Sequence, residues 1–139
     1  MFKRVISIIG LLALMALMMG MLTAAAPLPN TAFTLVQGLP STMNVGETYT
    51  VIVQVDSDQQ FISAQALPSF QFPGKGVVAV QGGDRTDSGT SARLEVTFKA
   101  KSSTTKMPGG VAPVYVVVGV RYGGGYVAVQ EYLFNVTVP

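Results

Sequence analysis

The chain is predicted to be all-β: seven antiparallel strands in a two-sheet sandwich, preceded by one N-terminal hydrophobic helix. Three observations lead there. Apolar and polar residues alternate with the period of two that strands impose, most cleanly in Tyr49, Val51, Val53, Val55 and in Ala92, Leu94, Val96, Phe98. Clusters of Gly, Pro, Asp and Ser interrupt these runs about every 8–14 residues, the spacing of a sandwich of short strands. Beyond Pro27 no stretch repeats at the 3.6 residues of a helix.

Phe2-Lys3-Arg4 is a short basic segment, and Val5 to Leu22 is an apolar run broken only by Ser7, Gly10 and Gly20. Thr23-Ala24-Ala25-Ala26 then offers a small-residue cleavage pattern, with Pro27 and Pro29 ending any helix. Residues 1–26 therefore read as a signal peptide, cleaved after Ala25, or as a retained transmembrane anchor. The run from Val5 to Ala26 is longer than an ordinary signal core and long enough to cross about 30 Å of hydrocarbon. A membrane contact through residues 5–26 follows from the second reading. Both export the rest of the chain to an extracellular or periplasmic face, secreted or held by the helix. Met15, Met18, Met19 and Met21 are read as apolar filler of this run.

Residues 27–32 form a short linker and 33–139 the sandwich. The first strand is Phe33 to Gln37, ended by Gly38-Leu39-Pro40. Gly46-Glu47 turns the chain into a second strand from Tyr49 to Val55. Asp56-Ser57-Asp58 is read as a turn, followed by a third strand from Phe61 to Leu67 that Pro68 stops. Pro73 keeps the next stretch irregular. Gly76 to Gln81 is a fourth, short strand; Gly82 to Gly89 is a polar turn cluster, and Ala92 to Phe98 a fifth strand. Lys101 to Gly110 reads as a flexible, weakly basic loop.

The last two strands form a hairpin from Val111 to Pro139. Val114, Val116, Val118 and Val120 share one face of the first. Tyr126, Ala128, Tyr132, Phe134, Val136 and Val138 share a face of the second, with Gln130 as the polar interruption. Gly123-Gly124-Gly125 allows the reversal between them. A hairpin this apolar needs the rest of the chain to cover it.

Composition bounds the chemistry. Of 139 residues 49% are hydrophobic and 12% charged, and there is no cysteine, histidine or tryptophan. His-dependent acid–base catalysis, Cys nucleophiles, Ser-His-Asp triads and the usual zinc, copper and haem ligands are therefore missing. Glu47, Glu95 and Glu131 fall on separate strands or turns and make no carboxylate pair for glycoside chemistry. No enzymatic activity and no cofactor are expected. Of nine basic residues Lys3 and Arg4 precede residue 26, leaving seven against seven acids. No basic face for a nucleic-acid partner is predicted.

Leu39-Pro40, the run Val45-Gly46-Glu47-x-Tyr49-x-Val51-x-Val53-x-Val55 and the later Gly89-x-x-Ala92-x-Leu94-x-Val96-x-Phe98 resemble bacterial and archaeal Ig-like, fibronectin-III-like modules of exported surface proteins. The resemblance covers most of residues 32–138 and concerns packing and turns. It implies an Ig-like sandwich without the Cys…Trp…Cys framework of antibody domains. In such a fold the B–C, D–E and F–G loops gather at one end. Here they would carry Asp56, Asp58, Asp84 and Asp87, four carboxylates that suit calcium, although Asp and Ser also belong in turns for backbone reasons. The same end would carry Tyr122, Gly123, Gly124, Gly125 and Tyr126, a contact loop or a cross-strand aromatic pair. The opposite end would carry Glu47, Lys75, Lys101 and Lys106. The expected role is protein–protein contact: an accessory subunit of a cell-envelope complex, or a structural surface or filament component. Its partners would be other envelope proteins or further copies of itself. The alternative is a calcium- or carbohydrate-binding module that uses the three loops.

Overall fold

The computed structural model describes residues 26–70 and 75–139. The predicted N-terminal helix, whether signal or anchor, lies outside the described residues, as does Pro73. Six strands follow in order: β1 (Thr31–Gln37), β2 (Thr48–Phe70), β3 (Val77–Gln81), β4 (Arg85–Ala100), β5 (Ala112–Arg121) and β6 (Val127–Val136). Single 3₁₀ turns sit at Pro108–Gly110 and Gly123–Gly125. The sheet runs β3-β4-β2-β5-β6, with β1 also paired to β2, and every strand pairing is antiparallel.

The all-β class is therefore right, whereas seven strands in two separate sheets is corrected to six strands in one hydrogen-bonded sheet. The difference lies in β2. Its 23 residues join the second and third predicted strands. Asp56-Ser57-Asp58, expected to turn, stays extended, and the register against β4 shifts between Asp56 and Phe61. Such a bulge bends a strand without ending it. Nor does Pro68 stop β2, which continues to Phe70 with Pro68 opposite Val116. The Ala66 N–H points to Asp84 O, away from β5. By the alternation of strand backbone groups, the position of the missing Pro68 N–H also faces away from β5, where no ladder bond is lost.

One bent sheet makes the core. From Tyr49 to Phe70 is 21 steps along β2, about 70 Å if the strand were straight at about 3.3 Å per residue. Yet Tyr49 lies opposite Phe98, and the Phe70 ring stands edge-on to Phe98 at 6.0 Å. The two halves of β2 therefore fold over one another. Between them Val51, Val53, Val55, Leu94, Val96 and Phe98 meet Phe61, Ala64, Ala66 and the Val114–Val120 row in one buried cluster. Each fully buried Val, Leu or Phe contributes about 1.5–3 kcal/mol. The buried face predicted for Val114, Val116, Val118 and Val120 is thus where it was expected.

Two loops also differ from expectation. β4 begins at Arg85, so only residues 82–84 of the predicted polar turn connect strands; Arg85 to Gly89 pair with residues 61–65 of β2. The 101–110 segment is tied down. Thr104 is fully buried; its hydroxyl donates to Gly110 O (2.7 Å) and accepts from Val138 N (2.9 Å), and its own N–H reaches Val138 O (2.9 Å).

Candidate interaction surface

With one face of β5 in the core, the period of two places Pro113, Tyr115, Val117, Gly119 and Arg121 on the other. Register adds their neighbours. Leu67, Val117 and Glu131 form one row across β2, β5 and β6; Ser69, Tyr115 and Leu133 the next. In the other direction come Gln65, Gly119 and Val129, then Ser63, Arg121 and Val127. This face is apolar although it faces outward: Leu67, Val127, Val129 and Leu133 are 49–60% exposed. A groove crosses it, lined by Leu67, Val117, Val127, Arg85 and Arg121, with Gly119 leaving its floor open.

Among the described residues the face ends at an open edge. Beyond β6, the chain segment before β2 reaches only its last residues: Thr137 N donates to Ser41 O (2.8 Å), Met43 N donates to Thr137 O (3.0 Å), and Gly38 abuts Phe134. Tyr122 N, on the β5 side, donates to Tyr126 O (2.9 Å). Even-numbered residues of this strand thus turn their backbone groups toward β5, and odd-numbered ones turn theirs outward. Val127, Val129, Glu131 and Leu133 present outward N–H and C=O groups; Gln130 Nε2 covers the Glu131 carbonyl at 3.2 Å. Glu131 is the only charge on β6. Among the described residues, neither it nor Arg121 has an ion-pair partner; the two ion pairs are Arg85–Asp87 (2.7 Å) and Arg93–Glu95 (3.4 Å).

The residues singled out from sequence fall elsewhere. Tyr122 is buried beside Tyr126, ring centroids 5.8 Å apart, as a cross-strand aromatic pair. Its hydroxyl donates to Ser57 Oγ (2.7 Å) and accepts from Thr31 Oγ1 (2.6 Å), joining the β5–β6 turn to the bend of β2 and the start of β1. Gly123, Gly124 and Gly125 form the exposed 3₁₀ turn, with φ +80° and +88° at the last two. Gln60 Nε2 donates to Ser88 Oγ (2.8 Å), and Gln60, Phe61, Ile62, Ser88 and Gly123 line one hollow, so with the Tyr122–Ser57 bond residues 57–62, Ser88 and the start of the 122–126 turn gather at one end.

The four aspartates are not brought together, and among the described residues no group of three His, Cys, Asp or Glu side chains is placed to share a metal ion. Each has a local partner instead. Asp56 accepts from Ser91 Oγ (2.9 Å), Asp58 from Asn30 N (2.8 Å), Asp84 from Arg85 N (3.1 Å), and Asp87 pairs with Arg85. At the far end Lys75 and Lys106 flank a groove with Ser102, Ser103, Met107 and Pro108. Burial pushes the Tyr132 phenol above its ordinary value. The outward row was visible in the sequence as odd-numbered β6 residues that are apolar where a half-buried strand would be polar.

No family model matches the sequence, and no curated protein matches it. Among solved structures, the chain is similar to the native conformation of the E. coli alpha-2-macroglobulin at 14% identity and a TM-score of 0.42, over 83% of this chain. It spans 7% of that chain's length. It is also similar to AvmM, which catalyses macrocyclization in alchivemycin A biosynthesis, at 10% identity and a TM-score of 0.42, over 78% of this chain and 88% of that one.

Proposed function

We propose that the chain is a non-catalytic, exported Ig-like module that works by protein–protein contact in the cell envelope, as an accessory subunit of a membrane complex or as a structural surface component. The observation that carries this is the apolar outer face of β2, β5 and β6 running out to an open strand edge. Soluble chains guard such an edge with charges, proline or a covering loop. Here Glu131 is the one charge along it. An exposed edge beside an apolar face is the arrangement that receives a partner's strand. Missing His and Cys support the non-catalytic reading, and residues 2–26 support export.

The pairing order supports the Ig-like reading. Residues 48–56 of β2 lie between β1 and residues 91–99 of β4, with β3 beyond. Residues 63–70 of β2 pair with β5, and β5 with β6. Taken as two layers, these are the A-B-E-D and C-F-G orders of an Ig domain, with B and C run together in one strand.

The test is the intact mass and the company of the native full chain, isolated separately from membranes and from culture medium. Full-length mass in the detergent extract with stoichiometric co-purifying proteins is expected for an anchored subunit. A chain about 25 residues shorter, found in the medium as oligomers, is expected for a secreted structural component. A monomer with no partner in either fraction overturns the proposal.

A further inference from the structure

We propose that β6 is the seam of a two-fold dimer of this chain, its edge pairing antiparallel with the same edge of a second copy and Val129 on the axis. This rests on the protein–protein reading above and names the partner.

The backbone sets which residues can bond. Among the described residues, Val127, Val129, Glu131 and Leu133 turn their N–H and C=O groups outward with no other strand beside them, the Glu131 carbonyl being covered by Gln130 Nε2. At the end of the strand, by contrast, residues 41–43 hold Thr137 and Gly38 stands against Phe134. A two-fold pairing of the free stretch must therefore join odd residues to odd residues. Charge then chooses the register. An axis at Glu131 sets two carboxylates directly opposite each other, which is destabilising, and an axis at Gln130 sets Glu131 opposite Val129, whose neighbour on β5 is Gly119 and supplies no cation. An axis at Val129 sets Glu131 opposite Val127 of the second copy. In each copy Val127 is itself paired with Arg121. Glu131 and Arg121 of the two copies then share one row on the outer face, separated by the small Val127 side chain. Their Cα atoms lie about 10 Å apart, two strand spacings, a gap a glutamate and an arginine close by leaning toward each other. The symmetry makes this pair twice, and both groups lack an ion-pair partner among the described residues of one copy. Val127, Val129, Leu133, Val117 and Leu67 of both copies join into one apolar face across the seam.

The absence of cysteine makes the register directly readable. Across the axis, two Val129 Cα atoms stand about 5.5 Å apart, inside the range a disulfide spans. The experiment uses the full chain in its native membranes or medium, carrying Val129→Cys, Glu131→Cys or Leu133→Cys, oxidised and run by mass. Val129→Cys is expected to give a covalent dimer, with the other two giving severalfold less. A Val127→Cys and Glu131→Cys double variant is expected to cross-link reciprocally, and its yield guards against a locally perturbed Val129 site. On the Val129→Cys background, Glu131→Arg or Arg121→Glu is expected to reduce the yield severalfold, and both together to restore it.

Stronger cross-linking at Leu133→Cys, which keeps the Glu131 carboxylate, overturns the register. No self-cross-linking by any variant overturns the dimer. If the unlinked chain nevertheless co-purifies with a different protein in stoichiometric amount, the dimer alone has failed. If nothing co-purifies, the contact reading fails with it.

Discussion

At the scale of single residues, the structure ties its corners with a few polar side chains. Tyr122 is the clearest. Its ring is buried and its hydroxyl holds Ser57 and Thr31, so β1, the bend of β2 and the β5–β6 turn share one hydrogen-bond node. Tyr122→Phe keeps the ring and strands both hydroxyls; a loss of about 1–2 kcal/mol is expected from urea unfolding. Tyr132 gives a different signature. Burial raises its phenol above the ordinary value, so between the unfolded and folded values the native state binds the proton that the unfolded chain has lost. Its contribution is fully present below about pH 10 and declines as pH rises through the folded value. Tyr132→Phe is expected to flatten the alkaline arm of a melting-temperature profile recorded from pH 8 to 11. An unchanged arm would place the alkaline loss elsewhere.

At the scale of elements, β2 explains both what the sequence discloses and what it hides. The alternation of Val51, Val53 and Val55, of Ala92 to Phe98 and of Val114 to Val120 was legible because each run has one face in the core. The bend was not. Asp56, Ser57 and Asp58 are residues that favour turns, and here they are extended: Asp56 is bonded to Ser91, Asp58 to the Asn30 N–H, and Ser57 to the Tyr122 hydroxyl as well as to the Gln59 N–H two residues on (3.2 Å). Residues 85–91 of β4 were hidden for a related reason. They are mostly exposed polar residues that lack a core-facing stripe, although Arg85 to Gly89 pair with β2. The open edge of β6 was half legible: its apolar outward row stands in the sequence, whereas the loop that covers only its last residues is a matter of tertiary placement. The 101–110 segment shows the converse, since its composition suggests a free loop and one buried hydroxyl anchors it. Thr104→Val keeps the shape and removes the donor to Gly110 O and the acceptor for Val138 N. A loss of about 1–3 kcal/mol is expected in denaturant midpoint, with faster hydrogen exchange at Val138.

At the scale of the whole molecule, the balance of charge and apolar surface sets how the chain meets others. From residue 27 on, seven basic residues meet seven acids, so this part of the chain carries almost no net charge to keep copies apart. The apolar row outside β2, β5 and β6 adds nothing to the core, because its side chains are about half in water already. That separates stability from association in a way one pair of variants reads. Leu133 and Val116 lie on adjacent strands, one half-exposed on the outer face and one fully buried. Val116→Lys puts a charge into the core and is expected to abolish folding at ordinary temperature. Leu133→Lys is expected to leave the melting temperature within a degree or two, since surface changes of this kind move stability by about 0.5 kcal/mol or less. The same substitution places an ammonium on the outer face, and a complex whose partner covers that face is expected to dissociate in sedimentation at equal protein concentration. A stable Leu133→Lys chain that still assembles would show that the outer face is apolar for some reason other than contact.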